Sequence, residues 1–192
     1  VLCEVLAPGR HGEYRIIPRL NRLTYEALLP HRRDGGYCTI QFLIKRDLTE
    51  AELYFDEELT DSNEWDLLVR LAPLCRFDYV PEPLARGYIS TDGMTQNKIG
   101  RLKAGLKILE KYSAELKERP AALGSNYFDT ALRYHLAGQE IRHVRHYLLA
   151  AIRAYPWYPT QYFALAFSVF SHAGMRLFLA IHNFLTTIFL KK

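Results

Sequence analysis

The 192-residue sequence predicts an α/β fold followed by an all-α C-terminal region. Short runs of β-type residues alternate with helical patterns as far as Asp92-Gly93, and no strand signal returns after this dipeptide. Apolar residues make up 49% of the chain, which is enough for one sizeable core and a small helical appendage. We therefore expect an α/β domain over 1–95, a helical extension over 96–159 and an amphipathic helix over 160–192.

Five runs in the first segment combine apolar, aromatic and β-branched residues between turn-forming residues, and we predict strands there. In chain order they are Val1–Ala7, Tyr14–Ile17, Tyr37–Lys45, Phe77–Val80 and Leu84–Ile89. The run from Tyr37 is the most continuously apolar and suits a central strand. Pro81 and Pro83 separate the last two strands, because proline has no backbone donor for a sheet.

Helices in this segment are predicted from apolar residues at helical spacing: Arg22–Leu29, which Pro30 ends, a short helix from Asp47, and one that starts near Glu64. The last of these lies within the run Phe55–Ala72, FDEELTDSNEWDLLVRLA, which sets a cluster of carboxylates just ahead of the helix. The leucines of this helix can pack inward. Glu64 lies in its first turn, where backbone amides and the helix dipole favour negative charge.

The spacing of Asp61 and Glu64 has two interpretations. It is a capping-box spacing, and such pairs usually satisfy the free amides of a helix end. It also suits a general base, because an ionised and rigidly held carboxylate at the mouth of a cleft can take a proton from a sugar hydroxyl. Spacing alone favours the cap.

The order of elements around this run resembles the second half of the family 2 glycosyltransferases, enzymes of the GT-A fold that transfer a sugar from a nucleotide-sugar donor. The resemblance spans Leu20–Asn97 and rests on the runs CTIQFLIKR, FDEEL, NEWDLLVRLA and FDYVPEPLARGYIS. It implies a partial GT-A-like mixed sheet. It also implies that Glu64, at the second position of the family's acidic pair, is the catalytic base, whereas Asn63 replaces the first acid.

The same resemblance implies further residues around the substrates. Trp65 would wall the acceptor pocket. Arg70 would orient the acidic cluster or the donor diphosphate, although an arginine late in a helix is also favourable on dipole grounds alone. The other substrate-binding candidates are Gly36, Tyr37, Asp56 and Asp66. Ser90 and Asp92 occupy the place where many relatives carry a histidine near the metal or donor phosphate, and a plain Asp-Gly turn is the alternative.

A divalent cation, Mg²⁺ or Mn²⁺, is the cofactor that the resemblance implies for the complete enzyme. In the family an N-terminal half binds it through an Asp-x-Asp motif, and this sequence contains no Asp-x-Asp. The first residue is Val1 rather than Met, and a strand is predicted from it onward. We therefore expect the chain to be the acceptor-side portion of an inverting enzyme whose nucleotide-binding half precedes it.

In the helical extension, Gln96–Glu118 is predicted as one helix with an apolar stripe. Tyr127–Leu136 and Glu140–Tyr155 form a predicted helix pair across Gly138, similar to a tetratricopeptide hairpin. A repeat protein needs about three such units to bury its faces, so we interpret the pair as a tail rather than an adaptor.

The last segment, Thr160–Leu190, is strongly apolar but carries a polar stripe. The stripe comprises Ser168, His172, Arg176, Asn183 and Thr187, and the opposite face carries Phe170, Leu177, Phe178, Ile181, Phe184 and Ile188. A spanning helix would need roughly 20 apolar residues, so two alternatives remain: a helix lying at a membrane surface, or one buried against protein. A lipid-linked acceptor would explain membrane contact.

Composition and charge indicate which classes of partner and metal site the chain favours. The formal charge is +4 and the basic residues are scattered, so nucleic acid is not indicated. Three distant cysteines favour neither a disulfide framework nor a zinc site, and they suggest the cytoplasm. Glu140, His143 and His146 share a helical face that could hold a metal, but without a fourth ligand a solvated basic face is the stronger interpretation.

The sequence thus predicts part of an inverting glycosyltransferase that moves a sugar to a saccharide or lipid-linked acceptor, with Glu64 as general base. Its location would be cytoplasmic, peripheral to the inner face of a membrane if the last helix meets lipid. A function of another class also fits the sequence: a non-catalytic helical module for interaction or membrane anchoring, in which the Glu64 cluster only caps a helix.

Overall fold

The computed structural model describes residues 1–9, 12–30, 39–45, 53–88 and 96–189. The chain divides into two compact units, Val1–Ala104 and Gly105–Lys192. The first unit contains a three-stranded mixed sheet and short helices, and the described part of the second is helical. The predicted α/β class with a helical C-terminal region is therefore confirmed at this level.

The sheet of the first unit has the strand order β2-β1-β3. Strand β1 covers Leu2–Gly9, β2 covers Gly12–Ile16 and β3 covers Tyr79–Arg86. The central strand β1 is antiparallel to β2 and parallel to β3. Strand β3 therefore reaches β1 from a distant part of the sequence, after the helix that carries Glu64.

The prediction of two strands separated by Pro81 and Pro83 is wrong, because the single strand β3 includes both prolines. Its pairing with β1 moves from Cys3 opposite Val80 to Glu4 opposite Pro83. The two residues of β3 between Val80 and Pro83, one of which is Pro81, therefore have no residue of β1 opposite them. A proline cannot donate to the ladder, but a bulge places it where no donor is needed, so the strand continues.

The central strand predicted over Tyr37–Lys45 is wrong for the part that the structure describes. Thr39–Gln41 forms a 3-10 turn, and Phe42 makes a single antiparallel bridge to Leu2. The reason lies in β1, whose edges are already occupied by β3 and, from Val5 onward, by β2. Only the first residues of β1 remain open to the incoming segment.

Two helices complete the core of the first unit: α1, Tyr25–Leu28, and α2, Asn63–Leu71. Thr24 caps α1 by accepting a hydrogen bond from the backbone of Ala27. The leucines of α2 are buried, as their spacing predicts. The buried apolar residues of this unit include Leu2, Val5, Leu23, Leu28, Leu29, Leu59, Trp65, Leu67, Leu68, Val69, Leu71, Leu102 and Ala104. The short helix predicted from Asp47 lies outside the described residues.

The remaining helices are α3, Lys98–Lys111; α4, Ser113–Lys117; α5, Pro120–Leu136; α6, Ile141–Ala154; α7, Pro159–Ser168; and α8, Ser171–Phe189. The single helix predicted over Gln96–Glu118 is therefore two helices. The predicted pair across Gly138 is present as α5 and α6, but α5 begins at Pro120 rather than at the predicted Tyr127. Gly138 has φ of 67°, and the amide of Gln139 donates to Tyr134 O, which closes α5 in a Schellman motif.

The single C-terminal helix predicted over Thr160–Leu190 is also wrong, because a turn separates α7 from α8. Ser171 adopts a left-handed conformation with φ of 60°. Gly174 packs so closely on α7 that a Cβ there would overlap the backbone oxygen of Phe167.

Phe178, predicted on the exposed apolar face, lies in the core, and Ser168 of the predicted polar stripe is fully buried. Among the described residues, no helix combines the length and apolarity that crossing a membrane requires.

Candidate functional site

The first turn of α2 presents Glu64, which is the second residue of the helix and is partly exposed. Ser62 is the N-cap residue, in a left-handed conformation with φ of 66°. The capping-box interpretation requires Asp61 at that position. Instead, Asp61 accepts a hydrogen bond of 2.8 Å from the Ser62 hydroxyl and forms an ion pair with Arg101, Nε to Oδ2 3.2 Å.

Trp65 anchors α2 to α1. Its indole N–H donates to the backbone oxygen of Leu28 at 2.7 Å, and only 9% of the residue is exposed. The sequence predicted a wall of the acceptor pocket at this position. The ring lies in the core of the first unit, so it fixes the rotation of α2 and thereby the direction of Glu64.

Asp66 and Arg70 form the second anchor of α2. Asp66 is fully buried, and its Oδ2 accepts a hydrogen bond of 2.9 Å from Arg70 Nε, one turn later. The Arg70 guanidinium also donates to the backbone oxygen of Tyr54 at 2.6 Å. Arg70 therefore holds the carboxylate of Asp66 and ties the preceding turn to the helix. Because a buried carboxylate is stable only when it is paired, Asp66 and Arg70 act as a unit.

Asp56 shapes the turn ahead of the helix. Its carboxylate accepts the backbone N–H of Glu58 at 3.0 Å, and its backbone oxygen accepts that of Leu59 at the same distance. This is an Asx turn, which lets the buried Leu59 anchor the segment. The hydroxyl of Thr60 then donates to Gly100 O at 2.9 Å, at the start of α3.

The structure thus brings Glu64, Trp65, Asp66 and Arg70 together on one helix and places Asp56 in the turn that precedes it. Gly36, Tyr37, Ser90 and Asp92 lie outside the described residues. Sequence reasoning missed Arg101 as the partner of Asp61, since the two are far apart in the chain and no local pattern connects them.

This arrangement is suited to accepting a proton. The amides and dipole of the first turn of a helix favour a negatively charged side chain at the position of Glu64. The two anchors hold the helix in place, so little reorganisation is needed when a substrate arrives. Glu64 itself is only partly buried.

Glu140, His143 and His146, the possible metal ligands on one helical face, do not gather into a metal site in the described structure. Glu140 pairs with Arg142, Oε2 to Nε 2.7 Å. His143 packs on Tyr134 and His146 on Tyr147, each with ring centres 5.2 Å apart. Among the residues that the structure describes, no three His, Cys, Asp or Glu side chains gather where they could hold a metal ion.

Comparison with protein-family models, with curated proteins and with solved structures finds no match for the chain. A function must therefore be inferred from the motifs of the sequence and the geometry around α2. The carboxylate of Glu64 at the start of an anchored helix is the feature on which that inference depends.

Proposed function

We propose that the chain is the acceptor-side part of an inverting glycosyltransferase of the family 2 type, with a GT-A-like fold. It would move a sugar from a nucleotide-sugar donor to a saccharide or lipid-linked acceptor. One observation carries this proposal: Glu64 stands partly exposed in the first turn of α2, while Trp65 and Asp66, its next neighbours, are buried and hydrogen-bonded.

In the proposed reaction Glu64 accepts the proton of an acceptor hydroxyl as the oxygen attacks the anomeric carbon of the donor sugar. The new glycosidic bond forms while the bond to the nucleoside diphosphate breaks, and the diphosphate leaves with the electron pair. A single displacement of this kind inverts the anomeric centre. Arg70 is a positioning residue here, because it acts on the site through Asp66 and Tyr54.

In the proposed complete enzyme a divalent cation, Mg²⁺ or Mn²⁺, would be held by the N-terminal half and outside the described residues of this chain. They contain no cluster of three potential ligands, and the sequence has no Asp-x-Asp. The chain's own contribution is therefore deprotonation of the acceptor, and no step is assigned to a metal. A lipid-linked acceptor would bring the enzyme to a membrane surface, so a peripheral location on the cytoplasmic side is part of the proposal.

The test is turnover of nucleotide-sugar donors by the full-length gene product. Release of nucleoside diphosphate is measured across UDP-, GDP- and dTDP-sugars, with Mn²⁺ and saccharide acceptors. Glu64→Gln should lower kcat by about two orders of magnitude or more, because general-base catalysis contributes roughly 10²–10⁴-fold. Donor affinity should stay unchanged, since the base acts on the acceptor.

Glu110→Gln is the matched control, because Glu110 is a largely exposed carboxylate on α3. It should leave kcat as in the wild type. Full activity of Glu64→Gln would remove Glu64 from the role of base. If no donor turns over and the Glu64→Gln protein folds as the wild type does, the non-catalytic helical module becomes the better interpretation.

A further inference from the structure

Charge is distributed unevenly along the chain. The whole sequence has 25 Lys and Arg against 21 Asp and Glu, yet no Asp or Glu follows Glu140. The 52 residues after it carry six cationic side chains: Arg142, Arg145, Arg153, Arg176, Lys191 and Lys192. The sequence after Glu140 therefore carries positive formal charge alone, and Glu140 itself is paired with Arg142 at the start of α6.

The turn between α7 and α8 exposes two large apolar side chains. Val169 is 69% exposed and Phe170 is 72% exposed. The backbone around them is held by hydrogen bonds, from the amide of Phe170 to Phe167 O at 3.1 Å and from that of Gly174 to Phe170 O at 3.2 Å. The two side chains are thus displayed by a structured turn, which we call the α7–α8 tip.

Cationic groups lie beside this tip. The Arg145 guanidinium, from α6, donates to Ser168 O at 2.8 Å and to Val169 O at 3.5 Å. Arg176 is exposed on α8, about 8 Å along the helix from its first residue at a rise of 1.5 Å per residue. An apolar tip flanked by positive charge matches the boundary between lipid headgroups and acyl chains.

We propose that the α7–α8 tip docks on an anionic phospholipid surface. Val169 and Phe170 enter the headgroup boundary, and Arg145 and Arg176 face the lipid phosphates. Tip-to-tip contact between two copies is less favourable, because it would bring Arg145 and Arg176 of one copy against the same cations of the other. The contact is shallow and involves no crossing of the bilayer. It is independent of the role of Glu64.

The test is co-sedimentation of the full chain with phosphatidylcholine vesicles, with and without phosphatidylglycerol. We expect binding only to the anionic vesicles, and weaker binding at high salt. Replacing both Val169 and Phe170 by Ser should weaken binding at least about tenfold, from the apolar area lost. Arg176→Gln should weaken it by about fivefold, the usual contribution of one cation near such a surface.

Two matched variants locate the contact. Trp157→Ala removes an equally exposed ring, 78% accessible, ahead of α7 at the end away from the tip, and should bind as the wild type does. Lys98→Gln removes an exposed cation of α3 and should also have no effect. In a Trp157→Phe protein, Phe170→Trp should show a blue shift of its emission when anionic vesicles are added.

Several outcomes would overturn the proposal. They are equal binding to neutral and anionic vesicles, an equal loss of binding in Trp157→Ala, and no emission shift from a tryptophan at position 170. A tip variant whose sole defect is the loss of a dimer in sedimentation, with no vesicle binding by the wild type, would assign the tip to contact between copies. Binding to an acidic protein without vesicle binding would assign it to a protein partner.

Discussion

Replacing Trp65 by Phe tests whether the indole anchor holds α2. The substitution keeps an aromatic ring but removes the N–H that donates to Leu28 O at 2.7 Å. It takes the indole donor away from a buried carbonyl oxygen, which costs about 1–3 kcal/mol, and the smaller ring leaves a partial cavity. Together we expect a loss of about 2–4 kcal/mol of unfolding free energy.

The chain offers a matched control for this change, because it has only two tryptophans. Trp157 is 78% exposed, so Trp157→Phe should alter stability by less than about 0.5 kcal/mol. Thermal unfolding followed by circular dichroism compares the two variants. For a unit of about 100 residues each kcal/mol lowers Tm by about 4–8 °C, so Trp65→Phe should melt at least about 8 °C lower.

Fluorescence gives an independent check on the position of Trp65. In Trp157→Phe the remaining indole is buried and should emit at short wavelength and resist quenching by acrylamide. In Trp65→Phe the remaining indole is exposed and should be quenched readily. Equal Tm values for the two variants, or equal quenching of the two indoles, would refute the anchoring argument. Glu64 would then lack the support on which its role depends.

Two further predictions concern the helical unit. Burial, and then the neighbouring Tyr134, raise the pKa of Tyr147 above its ordinary value of 10.0. The unfolded chain then ionises first, so this contribution to stability is present below pH about 10 and is lost as pH rises through the higher folded-state pKa. Tyr147→Phe should make the alkaline fall of Tm shallower, whereas a parallel fall in both proteins would contradict this. Gly174→Ala should lower the unfolding free energy by about 1–3 kcal/mol, because its methyl group would overlap the backbone of Phe167. Gly87→Ala, whose methyl group would lie 3.7 Å from its nearest neighbour, is the control, and equal stability of the two variants would contradict the close packing of α7 and α8.

Local patterns were sufficient where one segment decides its own structure. Leu67, Leu68 and Leu71 repeat at helical spacing, and α2 buries all three. Gly138 ends α5 because a Schellman motif needs a left-handed residue, and glycine adopts that conformation at little cost. The expected position of Glu64 in the first turn of α2 follows from the same kind of local information.

Local patterns failed where a distant segment competes for the same contacts. The run at Tyr37–Lys45 has strand character, but β2 and β3 already occupy the edges of β1 along most of its length. The apolar pattern of Thr160–Leu190 continues through Val169 and Phe170, and nothing in it marks the turn. That turn forms because Met175 and Phe178 are buried with residues of α5 and α6.

The sequence by itself determined which segments form helices and strands over much of the chain, the C-terminal end of α5 at Gly138, and the placement of a carboxylate at the start of α2. Only the tertiary structure decided that Trp65 turns into the core, that Asp61 pairs with Arg101, and that Phe170 stands exposed beside the guanidinium of Arg145. The physical reason is the distance along the chain over which each kind of interaction acts. Helical periodicity and capping act within about one or two turns, whereas burial and ion pairing join residues that only the folded chain brings together.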